Sequence, residues 1–218
     1  DLKSLETNLA IQKMWNTFWE KTKVEVDKIL QMGGYRLSYY LDLFGSTMEL
    51  TIDRRKYAEF SPERNSILFN VLVLLTEPPY WLASTLVHEG DHQEFCRAHN
   101  MLFKPCEEQV LFHRRYHKEM ELRAHKRELI FLETIRPLIN QSWEIYFYTH
   151  KKVSHIDDHI QSRKKSISQL EKYNNRALEY EKRRTSEAID AVSKIMLELG
   201  FEPPTEDPPS FLIVKVPF

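Results

Sequence analysis

Cysteine is scarce in this sequence and net charge is almost absent. The two cysteines, Cys96 and Cys106, are too few for a disulfide-rich scaffold and match no paired zinc knuckle, although a single local bridge stays open. The 31 lysines and arginines nearly balance the 32 aspartates and glutamates, which leaves a formal net charge of −1. Such a chain has no overall field to hold a polyanion, so we expect no nucleic-acid partner.

Long hydrophobic runs are also missing. The longest, residues 67–75, is interrupted by Asn70 and falls well short of the ~20 residues that a membrane-spanning helix needs. The first residues show neither a charged n-region nor the apolar segment of a signal peptide. We therefore expect a soluble protein without a membrane span, and its compartment, secreted or cytoplasmic, stays open.

The hydrophobic pattern predicts an α+β protein that is mostly helical. Apolar residues three and four positions apart predict a first helix over residues 4–32, which a glycine pair ends. Alternation at period two then predicts a small N-terminal sheet, antiparallel in part, with strands at residues 35–41, 46–52 and 66–70.

Prolines and capping residues place three long helices after this sheet. They are predicted over residues 80–99, 105–134 and 154–199. Ser154 is the expected N-cap of the last helix, and Gly200 can end it. A proline-rich tail follows and ends in strand-like residues 211–216.

One short motif carries chemistry, and it lies in the middle of the helix predicted over residues 80–99. It reads His88-Glu89-Gly90-Asp91-His92, an H-E-x-x-H sequence. Residues four apart lie one above the other on a helix, so the two imidazoles can share a metal ion. Glu89, between them, can then reach a metal-activated water. This combination is the chemistry of a zinc hydrolase.

A catalytic zinc ion takes three protein ligands, so the motif needs one more. The three-histidine type is excluded because Ala98 stands where its third histidine would be. A carboxylate from the following helix is the alternative. We prefer Glu121 to Glu119, which points about 160° away around that helix. Ala124, one turn after Glu121, would let the two helices approach closely, and we expect Gly90 to do the same on the partner helix.

The motif, followed by Glu121-Leu122-Arg123-Ala124, resembles the glutamate-ligand branch of the zincin metallopeptidases, the gluzincins, with a thermolysin-like site on a small scaffold. The resemblance covers residues 66–128. It implies one Zn²⁺ ion held by His88, His92 and Glu121. It also implies an active-site helix and an upstream edge strand that pairs with an extended peptide.

The activity implied by this resemblance is hydrolysis of peptide bonds in a peptide or protein substrate, with Glu89 as general base. The expected fold is a zincin-like domain over residues 1–150. Residues 151–218 would supply the C-terminal helix and tail, packed on the same domain. That C-terminal helix also offers a surface for a protein partner.

The chain departs from the family pattern at two positions. Asp91 is acidic, whereas zincins usually keep the inner residues of the motif uncharged. His125 replaces the frequent aspartate, four residues after the glutamate ligand, that orients a histidine ligand. A donor to the oxyanion is also needed, and His117 and His125 are preferred because they flank Glu121 by one turn on either side.

Other interpretations of these residues stay open. A di-iron carboxylate bundle would use Glu89 and His92 as a Glu-x-x-His element, but no second such element occurs in the sequence. A non-enzymatic interaction module with a degenerate metal site is the other alternative, which Asp91 and His125 keep open. Finally, His113 and His117 share a helix face with Glu121, as either a polar surface or a separate metal site.

Overall fold

The computed structural model describes residues 2–45, 47–51, 57–70, 77–139, 143–147, 150–172 and 214–217. The elements in chain order are α1 (Leu2–Met32), α2 (Leu37–Leu43), β1 (Thr47–Thr51), β2 (Ala58–Ser61), β3 (Ser66–Asn70), α3 (Pro79–Ala98), α4 (Cys106–Ile135), β4 (Trp143–Phe147), β5 (His150–Ser154), α5 (Ile156–Glu171) and β6 (Val214–Pro217). The fold is therefore α+β and mostly helical, as the sequence predicts.

The helices α1, α3 and α4 and the strands β1 and β3 confirm their predictions to within two residues at each end. Ser154 is not the N-cap of the last helix, because it ends β5, and His155 takes that position without a side-chain cap. Residues 173–199 of that predicted helix lie outside the described residues. β6 coincides with the last part of the predicted C-terminal strand.

The predicted strand over residues 35–41 is wrong, since this segment begins the short helix α2. Its buried residues include Tyr40 and Leu43, which are three positions apart and face the core as a helix requires. The first amide of α2, on Leu37, donates a hydrogen bond of 2.8 Å to the Asp27 carboxylate on α1. This cap comes from ten residues away, so local alternation does not reveal it.

Four strands form one sheet in the order β2-β3-β1-β6. β1 runs parallel to β3 and antiparallel to β6, and β2 runs antiparallel to β3, so the sheet is antiparallel in part, as predicted. β2 lies in a segment that the sequence pattern assigns to a loop. It forms one edge of the sheet. β4 and β5 pair separately as two antiparallel strands.

The hydrophobic core joins the sheet to the helices in one cluster. Trp15 and Trp19 of α1 stack in it with ring centroids 4.9 Å apart. The largest fully buried side chains of the other described elements are Tyr40, Phe44, Met48, Leu50, Ile67, Phe69, Tyr80, Phe95 and Phe131. Burial of this apolar surface is the main force that fixes α3 against the sheet.

The central element is α3, in which 15 of 20 residues are buried. Despite this burial, none of the helices in the described ranges is long and apolar enough to cross a membrane. The sequence of α3 carries charged residues, and these lie in the protein core, a region of low dielectric constant. Each of them therefore needs a partner, which determines how the neighbouring helices pack.

Gly90 permits a close approach, although of α2 and not of α4 as the sequence analysis expects. A Cβ atom added at Gly90 would lie 2.6 Å from Cε1 of Tyr40. Ala124 of α4 is fully buried, with 0% of its surface exposed. Gly90 of α3 thus leaves room for the Tyr40 ring of α2.

We predict that Gly90→Ala destabilises the protein. The overpacking against Tyr40 should lower the free energy of unfolding by about 1–3 kcal/mol, more than the ~1 kcal/mol that alanine gains in a helix. Urea denaturation followed by circular dichroism measures this change. Combined with Tyr40→Leu, which removes the clashing ring, Gly90→Ala should cost less than it does alone, and strictly additive losses would contradict the contact.

Candidate metal centre

The two histidines of the motif lie on one face of α3, with their rings edge to face. Nε2 of His88 lies 3.1 Å from Nε2 of His92, and their ring centroids are 4.8 Å apart. Only 12% of the His88 side chain and 9% of the His92 side chain are exposed. The two Nε2 atoms therefore face a common position at the border of the core.

Glu121 of α4 reaches the same position. Its Oε2 lies 3.6 Å from Nε2 of His88, and its Oε1 lies 3.4 Å from Nε2 of His92. Glu119 is exposed, in agreement with its predicted direction. The structure thus brings His88, His92 and Glu121 together.

The spacing of these three ligand atoms fits a zinc ion. Ligands in tetrahedral positions 2.0–2.1 Å from zinc stand roughly 3.3 Å from one another. The two imidazole nitrogens, 3.1 Å apart, lie close to that value, and each has a different Glu121 oxygen at 3.4 or 3.6 Å. With a single Glu121 oxygen, the three ligand atoms lie within 4.8 Å of one another. Two imidazoles and one carboxylate are also the donor set of a catalytic zinc site, which keeps a fourth position for water or substrate.

Glu128 orients His88. Its Oε2 lies 3.1 Å from Nδ1 of His88, and its side chain is only 5% exposed. With Nδ1–H donating to this carboxylate, Nε2 of His88 keeps its lone pair toward the candidate ion. The family pattern places such a carboxylate four residues after the glutamate ligand, and here it lies seven residues after Glu121.

His88, His125 and Glu128 form a second group whose ligand atoms lie within 4.8 Å of one another. The Arg163 guanidinium of α5 already supplies positive charge there, because its Nε lies 3.4 Å from Oε1 of Glu128 and its Nη1 lies 3.2 Å from Nδ1 of His125. This second group therefore supports the first site and does not favour another ion.

His125 does not occupy the position expected of an oxyanion donor. Its side chain is 3% exposed, its Nε2 lies 3.8 Å from Oε2 of Glu121, and its Nδ1 faces Arg163. Both ring nitrogens are directed at protein groups, so an incoming substrate does not reach them. His125 instead packs behind the ligands, with its ring centroid 4.6 Å from that of His88.

His117 lies at the open side of the site. Its side chain is 26% exposed, and its Nδ1 lies 3.9 Å from Oε1 of Glu121. The same Nδ1 is 3.2 Å from Nε2 of His113, which is exposed. Of the two predicted donors, His117 is therefore the one that solvent reaches.

Glu89 is buried beside the ligands and held from the sheet. The Phe60 amide of β2 donates a hydrogen bond of 2.9 Å to Oε2 of Glu89. Burial raises the pKa of Glu89, which the neighbouring His88 and His92 counteract only in part. A carboxylate with a raised pKa next to a metal position suits a general base.

Every second residue of β2 directs its backbone N–H and C=O groups toward the site. The Asn70 amide of β3 donates a hydrogen bond of 2.8 Å to the Tyr57 carbonyl, so the backbone of Tyr57 points toward β3. By the alternation of an antiparallel pair, Ala58 and Phe60 direct their backbone groups away from β3. The hydrogen bond from the Phe60 amide to Glu89 agrees with this direction. It also shows that β2, the edge strand, lies beside the candidate metal centre.

Asp91 forms its ion pairs with arginines of α4 and thereby connects α3 to α4. It is 2% exposed, and its Oδ1 accepts a hydrogen bond of 2.8 Å from Arg127, while Oδ2 lies 3.1 Å from Nε of Arg123. Arg127 also contacts Glu94, which accepts a further hydrogen bond from Tyr39 of α2. We call Asp91, Glu94, Arg123 and Arg127 the ionic brace. The acidic residue inside the motif therefore has a structural partner set of its own.

The charges of the site balance one another without an ion. Burial opposes charge on His88, but hydrogen bonds to Glu121 and Glu128 outweigh it and raise the pKa of His88 well above its usual value. Burial likewise raises the pKa of Glu121, but His92 and His88 lower it well below the usual range. Burial also raises the pKa of Glu128, but Arg163 and His125 outweigh this and lower it well below the usual range. A bound cation would replace the proton on His88.

Sequence reasoning missed Glu128, Arg163 and the backbone of Phe60. Glu128 had a signal, since it lies two helical turns after Glu121 on the same face. No signal in the sequence pointed to Arg163, because it comes from a helix that packs on α4 only in the tertiary structure. β2 is only four residues long, which is too short for its alternation to stand out.

No protein-family model, curated protein or solved structure matches this chain. Proposals about its function therefore depend on the geometry and chemistry of the site.

We predict that Arg127→Met strongly destabilises the protein. Asp91, which is 2% exposed, would retain only Arg123, whose side chain is 44% exposed. Leaving a buried carboxylate short of a partner should cost about 3 kcal/mol of the free energy of unfolding, measured by urea denaturation. The control is Arg136→Met, because Arg136 pairs with Asp157 on the exposed surface and its loss should change little. Equal effects of the two substitutions would rule out a stabilising role for the ionic brace.

Proposed function

We propose that this chain is a zinc-dependent peptidase. His88, His92 and Glu121 hold the ion, and Glu89 is the general base. One observation carries the proposal: His88, His92 and Glu121, from two helices, bring one ligand atom each to within 4.8 Å of one another, beside a buried carboxylate that the ligand set does not use. That arrangement suits hydrolysis by a metal-activated water.

The zinc ion, when bound, would lower the pKa of water to ~7 and polarise the carbonyl of the scissile bond. His88 is held for this task by Glu128, which fixes the tautomer with Nε2 unprotonated. Nδ1 of His92 is buried and has no hydrogen-bond partner among the described residues. His92 is thus oriented by packing and by its contact with His88.

Glu89 moves the proton. Its Oε2 accepts the Phe60 amide, so Oε1 is the oxygen that takes a proton from the attacking water. The raised pKa keeps that proton available for transfer to the amine that leaves when the peptide bond breaks. Burial of Glu89, which is 7% exposed, limits loss of the proton to bulk solvent.

The position of the edge strand β2 favours a peptide as the class of substrate. An extended peptide can add to a sheet edge through main-chain hydrogen bonds, which bind many sequences alike. Ala58 and Phe60 present backbone groups on that edge, and the Phe60 amide already reaches Glu89. A peptide paired here would bring a main-chain carbonyl close to the general base.

His117 is the residue we assign to the oxyanion. It lies one turn before Glu121 on α4 and remains partly exposed. A donor there would stabilise the negative charge that develops on the carbonyl oxygen. The buried position of His125 supports this choice between the two predicted donors.

The contacts of Asp91 favour the peptidase over an interaction module with a degenerate metal site. If the acidic residue had distorted the motif, it would face the ligands or strain the helix. Asp91 instead pairs with Arg123 and Arg127 on the side of α3 that packs against α4. The interaction module, with the C-terminal helix as its binding surface, remains the alternative outcome of the experiments below.

We predict that Glu89→Gln abolishes hydrolysis and leaves metal binding intact. Glutamine keeps the shape and accepts the Phe60 amide but cannot take a proton, so the rate should fall by roughly 10²–10⁴-fold. Cleavage of a broad peptide library, read by mass spectrometry, gives the rate, and elemental analysis gives the zinc content. A wild type that binds zinc and cleaves nothing in the library would favour the interaction module, and iron at about two per chain would contradict the peptidase.

We predict that Glu121→Ala weakens zinc binding by more than about 100-fold, because losses in the outer shell alone reach that range. The matched control is Glu119→Ala, which removes a carboxylate from the same helix two residues earlier, on an exposed face. Competition with a chromophoric chelator measures both affinities. If the two variants bind zinc equally well, Glu121 is not a ligand.

A further inference from the structure

We infer that His113 and His117 form a second binding site for a divalent transition-metal ion, and that an ion bound there inhibits the peptidase. The inhibition rests on the proposed function, because the second site shares Glu121 with the first. Binding of the second ion does not depend on hydrolysis.

The two histidines have the spacing of a chelating pair. Nε2 of His113 lies 3.2 Å from Nδ1 of His117, which is close to the 3.1 Å between the Nε2 atoms of His88 and His92. Both pairs are four residues apart on a helix, so their rings face the same side. In each, two imidazole nitrogens can approach one ion at tetrahedral distances.

Glu121 lies between the two pairs and offers a carboxylate oxygen to each. Its Oε1 is 3.4 Å from Nε2 of His92 and 3.9 Å from Nδ1 of His117. Glu121 is thus a carboxylate within reach of the pair, but its oxygen has to move toward His113 to become the third ligand, because these three residues do not bring their ligand atoms within 4.8 Å of one another in the described structure. Imidazole and carboxylate together select ions such as Zn²⁺, Ni²⁺ or Cu²⁺ over Mg²⁺ and Ca²⁺, which prefer oxygen ligands.

The second site is accessible, whereas the first is enclosed. His113 is exposed and His117 is 26% exposed, so an ion reaches them from solvent. The first site has its outer support in Glu128 and Arg163, and neither of these reaches the His113 pair in the described structure. The second site should accordingly bind more weakly and fill after the first.

Occupancy of the second site disturbs two groups that the reaction uses. An ion on Nδ1 would fix the His117 ring beside His113, so its Nε2–H could not turn toward the oxyanion. Glu121 would share Oε1 with the second ion, which weakens its hold on the first. Both effects lower the rate of hydrolysis when the metal is in excess.

Equilibrium dialysis of the full chain against zinc, followed by elemental analysis, tests the binding. We expect about two zinc ions per chain for the wild type and about one for His113→Ala. His155→Ala is the matched control, since His155 is an exposed histidine at the N-cap of α5, and this variant should keep both ions. His88→Ala removes the first site and should keep the ion on the His113 pair.

The same variants separate the two proposals. A wild type that saturates at one ion, or a His113→Ala variant that still takes two, overturns the second site. Two ions that His88→Ala does not reduce would overturn the proposed zinc site instead. In the activity assay, raising zinc from one to several equivalents should inhibit the wild type and the His155→Ala control, and inhibition should be relieved in His113→Ala. Equal inhibition of all three would overturn the regulatory role.

Discussion

The ionic brace between α3 and α4 is the interaction on which the rest of this site depends. Each helix contributes two of its charges: Asp91 and Glu94 from one, Arg123 and Arg127 from the other. These pairs join the two helices within two turns of the ligands on each. The ligand atoms converge only if the two helices keep a fixed distance and rotation. Charge-assisted hydrogen bonds are directional, so the ionic brace specifies both.

A second set of charges supports the site from the opposite side. Arg163 of α5 meets Glu128, Glu128 holds Nδ1 of His88, and His125 packs between them. Each charge in this series is buried, so each is tolerated only because its neighbour has the opposite sign or donates a hydrogen bond. The consequence is that the orientation of His88 depends on a helix about 75 residues further along the chain, which also carries the C-terminal segment.

Sequence patterns succeeded where the physical cause was local. The spacing of His88 and His92 determines their common face because a helix has 3.6 residues per turn, and proline and glycine mark helix ends for steric reasons. The same patterns failed where the cause was distant. Residues 37–43 became a helix because Asp27 caps it from α1, and Gly90 turned out to accommodate the Tyr40 ring.

The sequence by itself determined the mostly helical α+β fold, the bounds of α1, α3 and α4, and the face of α3 that carries the two histidines. It also ranked Glu121 above Glu119, since the angle between them around a helix is fixed. Only the tertiary structure decided that His125 lies behind the ligands, that Glu128 orients His88, and that β2 brings the Phe60 amide to Glu89. These arrangements depend on packing between elements distant in sequence, and no local spacing encodes the distance or rotation at which such elements meet.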